Sequence, residues 1–315
     1  MPVKMLKRSV LRTVFLLVLV FAAPVMPVFA AGSGGGALVD AAWAVAQIGR
    51  DNIRFLDIRA GGAADYAEGH IPSAVFSDYF NAGWRVRGAH GAPGMLPPVA
   101  DLEKLVGDLG ISNVSHVVIV ARGLSAVEMA SAARIYWTFK VLGHDAVSIL
   151  DGGMTAYRAL AGAPVQSGAA RAKRAEFKAA FRPALVASKE DVINAQKLGE
   201  ALLDLRPESQ YFGQTGPRFM QDKGTIAGAQ NLPLTHLTQG GAFKTSAALV
   251  ALFAEMNLAA VGSITCFCNT GHMASLGWFV AHELLGNSEA CLYDGSMAEW
   301  SADPDLGVVK GSAED

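Results

Sequence analysis

The chain has 315 residues, which suits two domains of about 130 residues once an N-terminal segment is set aside. Apolar residues are 51% and charged residues 17%, which excludes general disorder and supports a sizeable core. A formal net charge of −2 excludes the basic surplus that a nucleic-acid partner requires.

Residues 1–30 read as an export signal. Lys4, Lys7, Arg8 and Arg12 form a basic start, and Val14 to Ala23 is an unbroken apolar run. Pro24 and Pro27 end the run, and Val28-Phe29-Ala30 offers the small residues of a cleavage site. The run is shorter than the roughly 20 residues that cross a bilayer, so a cleaved signal is favoured over an anchor. Cleavage would leave 22 Lys and Arg against 28 Asp and Glu, no membrane span, and a periplasmic location. Gly32 to Gly36 then makes a flexible lead-in.

The elements that follow alternate. Arg54 to Ile58 is a short buried strand, followed by the turn Gly69-His70-Ile71-Pro72. Leu102 to Leu109 has helical spacing, Val117 to Val120 is a buried strand, and Met129 to Leu142 is a helix. Val147 to Leu150 is a third strand ending in a glycine turn. Residues 163–181 are rich in Ala, Gly and basic residues without a hydrophobic period, and read as a linker. Leu202 to Leu205 is a strand, Ala247 to Met256 a helix, and Ile264 to Phe267 a strand.

The second half repeats the first. Leu56-Asp57-Ile58-Arg59 returns as Leu203-Asp204-Leu205-Arg206, and Val117 to Val120 returns as Ile264 to Phe267, both at an offset of 147. Leu142-Gly143 returns as Leu285-Gly286, and Asp151-Gly152 as Asp294-Gly295, at an offset of 143. The falling offset predicts a strand-to-helix loop four residues longer in the first copy. Each copy is therefore an α/β unit, a parallel sheet with helices on both faces, whose ligand site lies at the carboxyl ends of the strands. The expected layout is a first domain over 37–162 and a second over 182–309.

The cysteines are Cys266, Cys268 and Cys291, too few and too clustered for a disulfide framework. Strand Ile264 to Phe267 runs into Cys268-Asn269-Thr270-Gly271-His272-Met273, with a helix starting near Ala274. Loop N–H groups and a helix dipole at that position favour a thiolate and would stabilise a persulfide anion. Cys266 shares a face with Cys268 and is either core packing or a resolving thiol; Cys291 reads as core. A set of Cys266, Cys268 and His272 lacks a fourth metal ligand, so no metal and no cofactor are expected.

The paired layout, with a cysteine opening a six-residue loop in the second copy, resembles the tandem-domain rhodanese family over about Ala37 to Val309. That family includes thiosulfate and 3-mercaptopyruvate sulfurtransferases. The resemblance implies that Cys268 is the catalytic nucleophile and that the first copy, with Ala121 at the matching position, is inactive. It implies a Cys268 persulfide charged by a small sulfane-sulfur donor and discharged to cyanide or a thiol, without a metal. It also implies donor binding by Arg206 and by the loop residues Asn269, Thr270, Gly271, His272 and Met273.

Two departures bear on the donor. Asn269 and Thr270 stand where thiosulfate-preferring members often carry Arg or Lys, and Gln210 stands where mercaptopyruvate-preferring members carry a second arginine. Thr270 falls where the latter have a serine that relays a proton. His272 is either a partly protonated anion-binding group at the loop mouth or a plain loop residue. Asp204 reads as structural, and Arg206 has a structural alternative too, because Asp-x-Arg also occurs in the inactive copy. His70 reads as a turn and packing residue near the domain interface. A related cysteine-loop phosphatase would need an arginine closing the loop, where Ala274 and Ser275 stand instead. The other function class is a persulfide carrier that hands sulfur to a periplasmic protein partner.

Overall fold

The computed structural model describes residues 35–60, 62–88, 91–220, 222–258 and 262–312. The expected export signal over residues 1–30 lies outside them, as does most of the glycine lead-in.

Five parallel strands form the first sheet: β1 (Leu38–Val39), β2 (Ile53–Asp57), β3 (Val75–Phe76), β4 (His116–Val120) and β5 (Val147–Leu150), in the order β1-β5-β4-β2-β3. The second contains β6 (Val186–Ala187), β7 (Ala201–Asp204), β8 (Ala229–Asn231), β9 (Ile264–Phe267) and β10 (Ala290–Tyr293), in the order β6-β10-β9-β7-β8. The two orders correspond strand for strand. Register is duplicated too: Arg54 lies opposite Val117, and Ala201 lies opposite Ile264. Val117 to Val120 have no exposed surface, which is why this strand reads as a continuous apolar run rather than an alternating one.

The helices are α1 (Ala41–Ala46), α2 (Ala63–Glu68), α3 (Val99–Asp108), α4 (Ala126–Val141) and α5 (Gly153–Ala159), then α6 (Lys189–Leu198), α7 (Glu208–Tyr211), α8 (Ser246–Glu255), α9 (His272–Trp278) and α10 (Ser296–Trp300). Ser125 starts α4 by accepting from the Glu128 N–H, and Ser188 starts α6 in a capping box with Asp191. The chain is an α/β protein with two parallel sheets flanked by helices.

The predicted four-residue difference in loop length is corrected. The strand-to-helix connection runs over 121–125 in the first copy and 268–271 in the second, a difference of one residue. The rest of the offset lies in the helix. α4 has 16 residues, whereas α9 has 7 and continues as a six-residue π-helix, Phe279–Leu284.

One hydrophobic core runs through both copies. It includes Leu56, Val117, Trp137 and Ile149 from the first and Leu203, Cys266, Trp278 and Leu292 from the second. α4 is buried at 13 of its 16 positions, so its apolar residues go all the way round and show no amphipathic stripe. It packs against α9 through small residues, and Ser275 Oγ donates to Ala130 O across the contact (3.1 Å). The stretch between the copies has no helix or sheet strand, yet it is docked. Ala175 N donates to Gly107 O (2.9 Å), Ala180 N to Leu142 O (2.9 Å), and Phe177 packs buried on Phe139 and His144. A Cβ at Gly107 would come within 2.7 Å of Ala175 O, so glycine there permits the close approach.

A buried ion pair ties the copies together. Arg134 on α4 meets Asp294 at the end of β10 at 2.6 Å, both essentially without exposed side-chain surface. Arg134→Leu leaves Asp294 buried without its cation and should destabilise the protein by about 3–5 kcal/mol in urea unfolding. Adding Asp294→Leu should recover only part of this, because the Leu96 N–H then loses its acceptor, Asp294 Oδ2 (2.6 Å).

Candidate active site

Cys268 directly follows β9 and has no exposed surface. Its carbonyl accepts from Met297 N (3.0 Å), and that of Asn269 accepts from Ala298 N (3.0 Å). In the first copy, Met154 N donates to Ala121 O (2.8 Å) and Thr155 N to Arg122 O (3.0 Å). Ala121 therefore occupies the place of Cys268, held by the same pair of backbone bonds.

Ser296 fastens the loop. Its Oγ accepts from the N–H groups of Cys268 (3.1 Å) and Gly271 (3.0 Å) and donates to Tyr293 O (2.8 Å). It does so in the left-handed region, at φ 48°, where a non-glycine residue is strained. The matching first-copy residue is Gly153, at φ 55°. The second copy thus carries a strained serine where the first keeps a relaxed glycine. Sequence reasoning missed Ser296, although the offset of 143 pairs it with Gly153.

Gly271 closes the loop at φ 70° and precedes α9 without a side-chain cap. A Cβ there would come within 2.5 Å of Arg134 Nη1 and 3.0 Å of Asp294 Oδ1, so the loop needs glycine on both counts. Asn269 Nδ2 donates to Gln210 Oε1 (2.9 Å), while Asn269 Oδ1 is buried without a partner. Thr270 accepts from Arg85 Nη2 at both its carbonyl (3.3 Å) and its Oγ1 (3.0 Å). Met273 is half-buried against the shared core.

The cationic reading of His272 is corrected. Burial, and then the charge of Arg85, pushes its pKa down to about 3. The ring is neutral, and its Nε2 donates to Val127 O of α4 (3.1 Å) beside Ser131 Oγ (3.2 Å). It packs on Tyr79 with ring centroids 5.1 Å apart. His272 pins the loop to the first copy and offers no charge to an anion.

Arg206 is likewise corrected. It has no exposed surface, its Nε and Nη2 grip Asp204 (2.6 to 3.1 Å), and Nη2 also reaches Gly224 O (2.7 Å). Arg59 holds Asp57 and Gly69 O in the same way in the copy that lacks the cysteine. The pair belongs to the fold, and no face of Arg206 is presented to a donor. His70 donates from Nδ1 to Tyr66 O (2.8 Å) and stacks on that ring, a packing role.

Cys266 faces the same core as Cys268, whereas Phe267 between them faces the other side of the sheet. Burial pushes the Cys266 thiol well up and raises that of the half-buried Cys291, where Thr265 Oγ1 at 3.3 Å limits the rise. Cys266, Cys268 and His272 are not brought together as a metal-ligand set among the described residues.

Two first-copy side chains at this site carried no sequence signal. Tyr79 is fully buried, with its hydroxyl raised by burial and within electrostatic reach of Arg85, Arg134 and Cys268. Arg85 lies over the Tyr79 ring, 5.6 Å from its centroid. Neither shares a motif or an offset with the cysteine loop.

Comparison with known proteins identifies the family of this fold. The model of the rhodanese-like domain matches twice, over residues 40–160 and 188–303. The 3-mercaptopyruvate sulfurtransferase of Mus musculus is 32% identical over 271 residues, covering 84% of this chain and 84% of that one. The thiosulfate sulfurtransferase of Mus musculus is 33% identical over 257 residues, covering 79% and 84%. The crystal structure of the Escherichia coli 3-mercaptopyruvate sulfotransferase superposes with a TM-score of 0.70 at 27% identity, over 83% of this chain and 98% of that one.

Ser296→Ala keeps the backbone strain but removes the acceptor of two buried N–H groups. It should destabilise the protein by about 1–3 kcal/mol in urea unfolding. Ser296→Gly should lose less, because it relieves the left-handed φ.

Proposed function

The chain belongs to the rhodanese family in its duplicated form, and from that premise we propose that Cys268 is its sulfur-carrying nucleophile. The observation that carries this reading is the asymmetry of two otherwise matched loops. Only the second copy has a thiol, Cys268, and only there does a serine, Ser296, fasten the loop around it.

The chemistry is a double displacement. The Cys268 thiolate attacks the sulfane sulfur of the donor. With thiosulfate, the S–S bond breaks, sulfite leaves with the bonding pair, and a Cys268 persulfide anion remains. With 3-mercaptopyruvate, the C–S bond breaks, the thiol proton ends on the departing carbon, and pyruvate leaves. The outer sulfur then passes to a thiophile such as cyanide or a thiol, regenerating the thiolate. The uncapped start of α9 follows directly on the loop, where its N–H groups would favour the developing persulfide charge. Thr270 accepts from Arg85 with its Oγ1, which leaves its own O–H to donate, and this suits it to pass a proton toward the leaving group. Because Cys268 has no exposed surface, donors reach it only when side chains over the loop move.

The relatives act on both donors by name, and Gln210 and the neutral loop residues favour neither exclusively. The first copy, over 37–162, serves as scaffold, and the second, over 182–309, carries the reaction. Export to the periplasm belongs to the same proposal, supported by the basic start and apolar run of residues 1–30.

Intact-mass measurement before and after each donor tests the reading. A gain of one sulfur mapped to Cys268 and absent from Cys268→Ser is expected, with repeated turnover to cyanide. Loading once with slow discharge would point to a carrier, and no loading by either donor would overturn the proposal. Because His272 is neutral throughout the working range, His272→Ala should change the donor KM by the same factor near about pH 6 and about pH 8. A larger loss at the lower pH would restore the charged reading.

A further inference from the structure

The Cys268 loop has no cation of its own. Asn269 and Thr270 are neutral, and His272 is uncharged. Arg206 is held by Asp204, and Arg134 by Asp294. An anionic donor entering this water-poor site still needs a positive partner, since burying an unpaired charge is costly.

Arg85 touches the loop through Thr270 and has no acidic partner among the described residues. Its Nη2 is occupied by Thr270 and its Nε by Gly94 O (3.3 Å), while no hydrogen bond of Nη1 is found among the described residues. Its guanidinium lies against Gly94, at φ +84°, where any Cβ would overlap it. The head is therefore fixed from two sides: by the loop of the second copy and by a glycine of the first. Beside it stands Tyr79, fully buried, whose hydroxyl oxygen feels the Arg85 guanidinium while its O–H has no acceptor among the described residues. A guanidinium edge without a carboxylate and a buried O–H without an acceptor both lack the same thing, an anionic oxygen.

We propose that Arg85 and the Tyr79 hydroxyl bind the anionic group of the sulfur donor, so that the copy without a nucleophile supplies the charge that selects the substrate. The bound group is a sulfonate or carboxylate oxygen, and Arg85 is the specificity-determining residue. The inference rests on the sulfurtransferase reading of Cys268 and names the substrate class of that same site.

Calorimetry with thiosulfate on the full chain carrying Cys268→Ser tests it without requiring turnover. Adding Arg85→Gln should weaken binding about tenfold to a hundredfold, the range of one charge-assisted hydrogen-bonded contact. Adding Arg85→Lys should restore most of the loss, and Tyr79→Phe should weaken binding by a smaller factor. Melting curves of each variant show whether the fold is retained. No binding by the parent, equal binding by Arg85→Gln, or equal loss in Lys and Gln variants would overturn the proposal. If thiosulfate binds through Arg85 but never charges Cys268 in the unmodified protein, the sulfurtransferase reading fails while the anion site stands.

Discussion

The buried ion pair between Arg134 and Asp294 is the constraint on which the rest of the structure depends. Taking both charges out of water is expensive and is offset only where further hydrogen bonds complete the network. Here they do. Arg134 also donates to Gly94 O (3.2 Å) and Gly271 O (3.4 Å) and lies over Trp137 at 4.5 Å, while Asp294 Oδ2 accepts from Leu96 N. One arginine thus joins the α4 helix, a first-copy loop, the cysteine loop and the end of β10. Moving either copy would expose or orphan a charge, so the relative position of the copies is fixed to within hydrogen-bond tolerance. The continuous core supplies most of the apolar burial but is indifferent to small slides; the ion pair is not.

The aspartates show how duplication was turned to this use. Asp151 and Asp294 occupy matching positions after β5 and β10. Asp294 Oδ2 accepts from Leu96 N of the first copy, and Asp151 Oδ1 accepts from Phe243 N of the second (2.9 Å). Each copy therefore holds a loop of the other with the same residue, a reciprocal exchange expected of two units packed about a pseudo-twofold axis. Of the two, only Asp294 has an arginine partner among the described residues. Asp151 has none, and burial pushes its carboxyl up, with the N–H groups of Phe243 and Gly152 limiting the rise. The polar network is lopsided toward the copy that carries the thiol.

The central strands, the duplication and the position of Cys268 were legible in the sequence because all three are local or periodic; the two-to-three-residue edge strands were too short to read. Buried strands announce themselves as apolar runs, and the offset of 147 aligns Ala121 with Cys268 before any coordinates exist. What was not legible depends on burial and on contacts between distant segments. His272 is an ordinary titrating residue in sequence; only its enclosure by Tyr79, Val127 and the arginines makes it neutral. Arg206 matched a binding motif, and the same Asp-x-Arg in the first copy was the clue that the pair is structural. The loop-length difference was misplaced because an offset locates a change only to the interval between two motifs, here Phe267 to Leu285. Arg85 and Tyr79 left no trace, since a contact spanning 185 residues has no pattern to read.

Why a second, silent copy should persist follows from where loop charge can come from. The cysteine loop is short, its Cys268 and Gly271 N–H groups are taken by Ser296, and Gly271 has no room even for a Cβ, so little space is left for a cation inside it. Charge can instead arrive from outside, on a side chain long enough to reach the rim and rigid enough to stay there. The first copy provides such a platform: α4 presents Val127 O, Ser131 and Arg134, and the 79–85 segment presents Tyr79 and Arg85. On this argument the site is a property of the pair, and the copy that bears the cysteine is incomplete without the one that does not.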